Sequence, residues 1–259
     1  MTNAVAYERE MEILRLLDIE PSVSVTGLSA LFGISPVTIR KDLDTLERRR
    51  LVRRVRGGAV RADSSDEGAF EVRLRHRAEA KRAIAREAAR LVRDGDAIAL
   101  DCSTTCYYLA DLLRARQGLV VVTNGLRAAE VLRDTATVIV TGGTLRPSSW
   151  SLVGDHLELP IRGGTLTRGF FGVRSLSREH GLMELSSEEG AAKRRIASAC
   201  RDVHALFDSS KVDRFALFPF VPVDRVTGLF TDIGFTDAQA AEWSHAGIEV
   251  RRVTTAPQS

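Results

Sequence analysis

Cysteine is scarce in this 259-residue chain. Cys102, Cys106 and Cys200 are an odd set that suits a reducing cytoplasm rather than a disulfide framework. No apolar stretch approaches the ~20 residues needed to span a bilayer, so no membrane partner is expected. The opening MTNAVAYEREMEILRLL carries charges where a secretory signal needs an apolar run, and export is not expected. The five histidines are scattered without His-x-x-x-His spacing, and no Cys-x-x-Cys occurs, which gives no basis for a metal site. No motif calls for a cofactor. Net charge is nearly absent too, with 37 Lys and Arg against 34 Asp and Glu. What is present is 44% hydrophobic residues, enough for a sizeable core, in a length comfortable for two domains.

The small positive excess is local. Residues 1–61 hold 11 Lys/Arg against 8 Asp/Glu, leaving 26 of each for the remainder. Within them, Gly33 to Val60 gathers eight basic residues against Asp42, Asp44 and Glu47. Such a footprint suits an anionic partner. Upstream, Met11, Ile13, Leu14 and Leu17 mark one side of a helix, with Glu8, Arg9, Glu12 and Arg15 expected in water. A second short helix follows, with Thr26 as the expected N-cap, Leu28, Leu31 and Phe32 as buried positions and Gly33 as its stop. Ser35 before Pro36 is a helix-start signal, because the serine hydroxyl caps orphan amides and proline lacks an N–H that needs no partner there. Ile39, Leu43 and Leu46 then recur at helical spacing and face the core. Thr38, Arg40, Lys41, Asp44 and Thr45 are left outside.

Three short helices of this kind predict a helix-turn-helix, its two-helix unit spanning 23–42. LVRRVRGGAV adds β-type alternation around a Gly57-Gly58 turn, the hairpin wing of a winged helix. A merely solvated basic surface would need neither the capped helix nor the wing. Lys and Arg displace counterions from phosphates, and the N-terminal half of a helix fits the major groove. Ser35, Thr38, Arg40 and Lys41 are therefore the expected contacts of the recognition helix. Arg53, Arg54 and Arg56 are those of the wing, on phosphates or a minor groove.

SPVTIRKDLDTLERRRLVRRVRGGA resembles the N-terminal signature of DeoR-type bacterial transcriptional repressors, which runs S-x-x-T-I-R-R-D-L, then L-E, then a basic wing ending G-G-A. Arg50 stands where that pattern often has glycine and Arg56 where it often has histidine. Both departures add positive charge.

Beyond a polar, acidic stretch at 61–70, expected to be a linker, the pattern changes. An amphipathic helical segment buries Ile84, Ala88 and Leu91. From Asp96 strands and helices alternate: AIALD, then CSTTCYYLADLLRA, LVVVTN, GLRAAEVLRD and TVIVTGG. Further apolar runs are RGFFGV, VHALFDSS, FALFPFV and VTGLFTD, with a helix around EEGAAKRRIASAC. Alternation of this kind predicts an α/β fold with a mainly parallel sheet covered by helices on both faces. Ligands of such sheets sit beyond the carboxyl ends of the strands. Three successive strands end in DCSTT (Asp101–Thr105), TNG (Thr123–Gly125) and TGG (Thr141–Gly143). Hydroxyls and backbone amides at helix starts cradle anions, and glycine lets backbone approach an oxyanion closely. Such turns are often mere caps. Three of them, with Lys211 after a fourth strand, point to a phosphate- or polyol-type ligand.

This half is similar to the same family's C-terminal effector domain, whose fold resembles ribose-5-phosphate isomerase. DCSTTCYYLA, VVTNGLRAAEVL, TGGTLRPSSWSLVG, EEGAAKRRI and FDSSKVDR carry the likeness. The resemblance implies a phosphorylated sugar or sugar derivative as effector, and homo-oligomers. It assigns the ligand site to Asp101, Ser103, Thr104, Thr105, Thr123, Asn124, Gly142, Gly143, Glu189, Lys193 and Lys211. Thr167, Ser175 and Asp213 depart from the family's pattern around that site.

The expectation is a cytoplasmic repressor of a carbohydrate-metabolism operon. Residues 1–60 would bind operator DNA, and 71–259 would sense a phosphorylated sugar or polyol and assemble a dimer or tetramer. Two alternatives compete with it. Cys102 and Cys106, four apart near a helix start, could form a thiol sensor. An isomerase-like enzyme would draw its acid and base from Glu184, Glu188, Glu189 and Asp208, but RSLSREHG stands where the isomerases carry an acidic cluster.

Overall fold

The computed structural model describes residues 2–19, 22–49, 51–61, 70–154, 166–212 and 214–254. Arg50, Asp213 and all but the ends of the stretch at 61–70 lie outside the described residues. The chain divides into two compact units, Met1–Gly68 and Ala69–Ser259.

The first unit runs α1 (Thr2–Ile19), β1 (Val23–Ser24), α2 (Val25–Phe32), α3 (Pro36–Arg48), β2 (Val52–Val55) and β3 (Gly58–Arg61). Ile13, Leu14, Leu17, Leu28, Ile39, Leu43 and Leu46 form its core, as the helical spacing requires. Three expectations need correction. Ser24, not Thr26, caps α2, accepting from the Gly27 amide at 2.9 Å. Leu31 is 62% exposed and Phe32 half-buried, because this eight-residue helix buries only the narrow stripe of Val25 and Leu28. Arg9 is drawn out of water by Asp42, with bonds of 2.7 and 3.0 Å.

β2 and β3 form the wing, and β1 pairs with β3 to give a three-stranded antiparallel sheet. The register places the hairpin turn at Arg56-Gly57, one residue earlier than expected, with Gly57 at φ 82°. Gly58 already belongs to β3. A Cβ there would lie 2.0 Å from the Val23 carbonyl oxygen, so only glycine admits β1.

The second unit opens on α4 (Phe70–Arg75) and α5 (Ala78–Ala89), broken at Arg77, whose φ is 51°. Ile84 and Ala88 are buried as expected, while Leu91 is half-buried and Val92 takes the inner place. Next come β4 (Ala97–Leu100), α6 (Thr104–Leu113), β5 (Val120–Thr123), α7 (Leu126–Leu132) and β6 (Thr137–Val140). A hairpin of β7 (Thr144–Arg146) and β8 (Ser151–Val153) precedes β9 (Leu166–Phe171), β10 (Ser175–Ser177) and β11 (Gly181–Glu184). The chain continues through α8 (Ser187–Ser198), β12 (Cys200–Leu206), β13 (Phe218–Val221), β14 (Gly228–Asp232), α9 (Asp237–Ser244) and β15 (Glu249–Val253).

Seven strands form one parallel sheet in the order β15-β14-β12-β9-β4-β5-β6. Side chains alternate through it. Ile98, Leu100, Val121 and Phe170 meet Ile84, Leu109 and Leu132 on one face. Ala99, Val122, Phe171 and Val203 meet Ile196 and Trp243 on the other. FALFPFV is the exception among the apolar runs. Its strand, β13, joins β10 and β11 in a separate antiparallel sheet rather than the main one.

The strand order also contains a reversal. From β4 the chain steps outward through β5 and β6, then returns to lay β9 on the opposite side of β4 and steps outward through β12, β14 and β15. The order reverses between β4 and β9, and a crevice opens at the carboxyl end of such a reversal.

Candidate functional site

On the first unit, Ser35 caps α3, accepting from the Thr38 amide at 3.2 Å, and the two hydroxyl oxygens lie 3.0 Å apart. Arg40, Lys41, Arg53 and Arg56 are exposed. Arg54 differs. Its guanidinium donates to Asp44 at 3.0 Å and to the Arg40 carbonyl at 3.3 Å, and its amide donates to Glu47 at 2.8 Å. It braces the wing against α3. Behind the helix, Asp42 holds Arg9 and Glu10 holds Arg49 at 2.7 Å, so ion pairs from α1 fix the pose of the basic helix.

On the second unit, Asp101 ends β4 at the reversal point and is fully buried. One carboxylate oxygen accepts from the Ser103 amide at 2.9 Å, the other from the Gly172 amide beyond β9 at 2.8 Å. The second oxygen also lies 2.7 Å from Lys193 Nζ, and Lys193 donates in turn to the Gly172 carbonyl at 2.8 Å and to Glu184. Burial opposes charge on Lys193, yet Asp101 and Glu184 hold its proton well above the ordinary lysine range. The two turns at the reversal are therefore joined by one buried cation. Ser103 caps α6 through the Cys106 amide at 3.2 Å, leaving Thr104 and Thr105 in the first turn, both buried. A Cβ at Gly172 would lie 2.3 Å from Ser103 Cβ, so the close approach of these turns depends on glycine.

The other expected residues divide. Asn124 is tied to β8, its side-chain amide donating to the Leu152 carbonyl at 3.3 Å while its backbone carbonyl accepts from the Leu152 amide at 2.8 Å. Thr123 Oγ1 accepts from the Gly125 amide at 3.0 Å, a capping role. Gly142 and Gly143 are exposed and lead into the β7–β8 hairpin, with Gly143 at φ 131° packed against Val153. Glu189 is already engaged by the Ser149 and Ser151 hydroxyls at 2.7 and 2.6 Å, by Arg146 at 3.5 Å and by Cys102 at 3.3 Å. Burial would raise its pKa, but Lys193 and the two hydroxyls bring it below the usual carboxylate range. Of the departures from the family pattern, Thr167 donates to the Ala97 carbonyl at 2.8 Å and Ser175 is buried in β10.

Lys211 belongs to a second cluster at the ends of β12 and β14. Asp208, buried after β12, pairs with Arg77 at 3.1 Å, and Arg77 lies 3.9 Å from Asp232. Lys81, only 4% exposed, donates to the Arg73 carbonyl at 2.5 Å. Burial pushes both Lys81 and Lys211 down to about 8, against the opposing pull of Asp208. Lys81 has no place among the residues expected from sequence. Its signal is the spacing: it precedes Ile84, Ala85 and Ala88 by three, four and seven, on the inward stripe of α5, where a charge needs a reason.

Cys102 and Cys106 are buried, and burial lifts both thiols well above their ordinary range, with Glu189 adding to the shift at Cys102 and Asp101 at Cys106. A thiolate is the reactive form, so the thiol-sensor alternative loses its chemical basis. The isomerase alternative has no support from the relatives.

A winged helix bearing an exposed basic helix, and a parallel α/β unit with a buried Asp101–Lys193–Glu184 network at its reversal point, define a two-part regulator. The chain belongs to the DeoR family: residues 9–65 match the DeoR-like helix-turn-helix domain and residues 76–233 the DeoR C-terminal sensor domain. The HTH-type transcriptional regulator GolR of Listeria innocua is 32% identical over 95% of this chain and 98% of that one. The glycerol-3-phosphate regulon repressor of Escherichia coli K12 is 30% identical over 87% of this chain and 90% of its own length. Among solved structures, ribose 5-phosphate isomerase A of Neisseria gonorrhoeae aligns at 17% identity and TM-score 0.39, over 51% of this chain and 52% of that one. Among the described residues no helix is long and apolar enough to cross a membrane.

Proposed function

We propose that this protein is a cytoplasmic repressor that binds operator DNA through residues 1–60 as a homo-oligomer and releases it when a phosphorylated sugar or polyol enters the crevice of residues 71–259. On this reading, Arg40 and Lys41 enter the major groove, Ser35 and Thr38 approach a phosphate, and Arg53 and Arg56 hold phosphates from the wing. Arg54 acts by positioning the wing. In the sensor, Asp101 and Lys193 fix the two turns that frame the site, and Ser103, Thr104 and Thr105 offer hydroxyls and amides to an oxyanion. Lys81 and Lys211 supply the charge that a phosphate neutralises.

The single observation behind this reading is the gathering of a buried ion-pair network, Asp101–Lys193–Glu184, and a second, partly exposed one around Asp208 at the carboxyl end of one parallel sheet. Ion pairs this buried are costly, so a fold that keeps them there has a use for fixed charge. The names of the relatives support regulation rather than catalysis, and one is named for the regulon of a phosphorylated polyol.

A thermal-shift screen of sugar and polyol phosphates against the full chain tests the proposal. A ligand at a hundred times its dissociation constant adds ~2.7 kcal/mol to the native state, a shift of several degrees. At least one phosphate should stabilise the protein while its free sugar does not. A flat response across hexose, pentose and triose phosphates would refute the effector class.

A further inference from the structure

Val37 is the large apolar side chain on the outward face of α3, 59% exposed. Isolated aliphatic residues on a surface are common and say nothing by themselves. The position of this one does. At about 100° per residue, Val37, Lys41, Asp44 and Arg48 form the stripe opposite the buried Ile39, Asp42, Leu43 and Leu46. Val37 lies at the N-terminal end of that stripe, the part of a recognition helix that meets base edges.

Its polar neighbours have roles other than reading base edges. Ser35 and Thr38 hold each other and the first turn, and Asp44 holds Arg54. A β-branched residue also lowers helix propensity and gains nothing from water. In the major groove of B-DNA the apolar feature on a base edge is the C5-methyl group of thymine. The exposed Arg40 and Lys41 on the same face supply the charge that brings a duplex to that surface.

We infer that Val37 reads a thymine 5-methyl group in the operator, making it a specificity-determining residue. The inference rests on the operator-binding reading and adds a base to it. The probe is the tightest duplex that the full chain selects from a randomised DNA library. Each thymine in it is then replaced by deoxyuridine, which removes one methyl group and keeps every hydrogen-bonding atom.

At one thymine per half-site, the replacement should weaken wild-type binding about fourfold, the worth of one buried methyl group. Val37→Ala should bind the thymine duplex more weakly by a similar factor and no longer distinguish thymine from deoxyuridine there. Its exposed position leaves the fold intact, which circular dichroism checks. Wild-type binding that is indifferent to every replacement overturns the assignment. So does discrimination that persists in Val37→Ala. A selection that enriches no duplex removes the operator-binding reading and the assignment with it.

Discussion

Replacing Lys193 by methionine strands two carboxylates. Asp101 is fully buried and Lys193 is 3% exposed, so neither partner falls back on water when the other is lost. Removing one member of such a pair costs about 3–5 kcal/mol, because an uncompensated charge stays in a poorly polarisable place. Asp101 keeps the amides of Ser103 and Gly172, which places Lys193→Met toward the lower end of that range. The sign with pH follows. The Lys193 proton is held above the ordinary lysine value, so its stabilisation is full at neutral pH and is lost only as pH rises through that raised value. Urea unfolding followed by tryptophan fluorescence measures this cleanly, since both tryptophans, Trp150 and Trp243, lie in the second unit. The double variant Asp101→Asn/Lys193→Met removes the Asp101 charge, leaves Glu184 and one of the Ser103 and Gly172 amides without a partner, and should recover part of the loss. A single variant within about 1 kcal/mol of wild type, or a double variant whose losses simply add, would refute the idea of a buried cation joining the two turns.

Three further outcomes are expected. Arg56→Ala should flatten the salt dependence of operator binding by about one unit, whereas Arg54→Ala should weaken binding by loosening the wing without removing a phosphate contact; equal salt slopes in the two variants would contradict that division. Thr104→Val and Lys211→Met should bind operator normally and fail to release it on adding effector, which a mobility-shift titration reads directly. Lys81 and Lys211 lose their protons near pH 8, so the affinity for a phosphate ligand should fall above that value by up to about tenfold per pH unit for each lysine, and calorimetry at pH 7 and pH 9 tests it.

Local chemistry was legible in the sequence wherever the cause lay within a few residues. The Ser35-Pro36 start of α3, its inward Ile39, Leu43 and Leu46, and the strand-end turns at Asp101, Thr123 and Thr141 all stand where their spacing places them. Contacts across many residues were not legible. Nothing near Arg9 announces Asp42, and nothing near Glu189 announces Ser149 and Ser151. The left-handed Arg77 that separates α4 from α5 has no local signal, since arginine rarely takes that conformation. Short apolar runs read alike whether they join the main sheet, as at β14, or a small antiparallel one, as at β13. Lys81 was the missed clue within reach, because its place on the inward stripe of α5 is written in the spacing.

The most direct test of a sensor coupled to a DNA-binding unit is fluorescence anisotropy of a labelled, selected operator duplex bound to the full chain, titrated with the sugar phosphate that stabilises the protein. Ligand can shift the complex only by binding its DNA-competent and DNA-incompetent arrangements unequally, and a coupling of ~1–3 kcal/mol is usual. Operator affinity should fall between about fivefold and about a hundredfold, the ligand's own affinity should fall by the same factor when DNA is present, and the free sugar should have little effect. Operator affinity unchanged at saturating ligand would contradict the account.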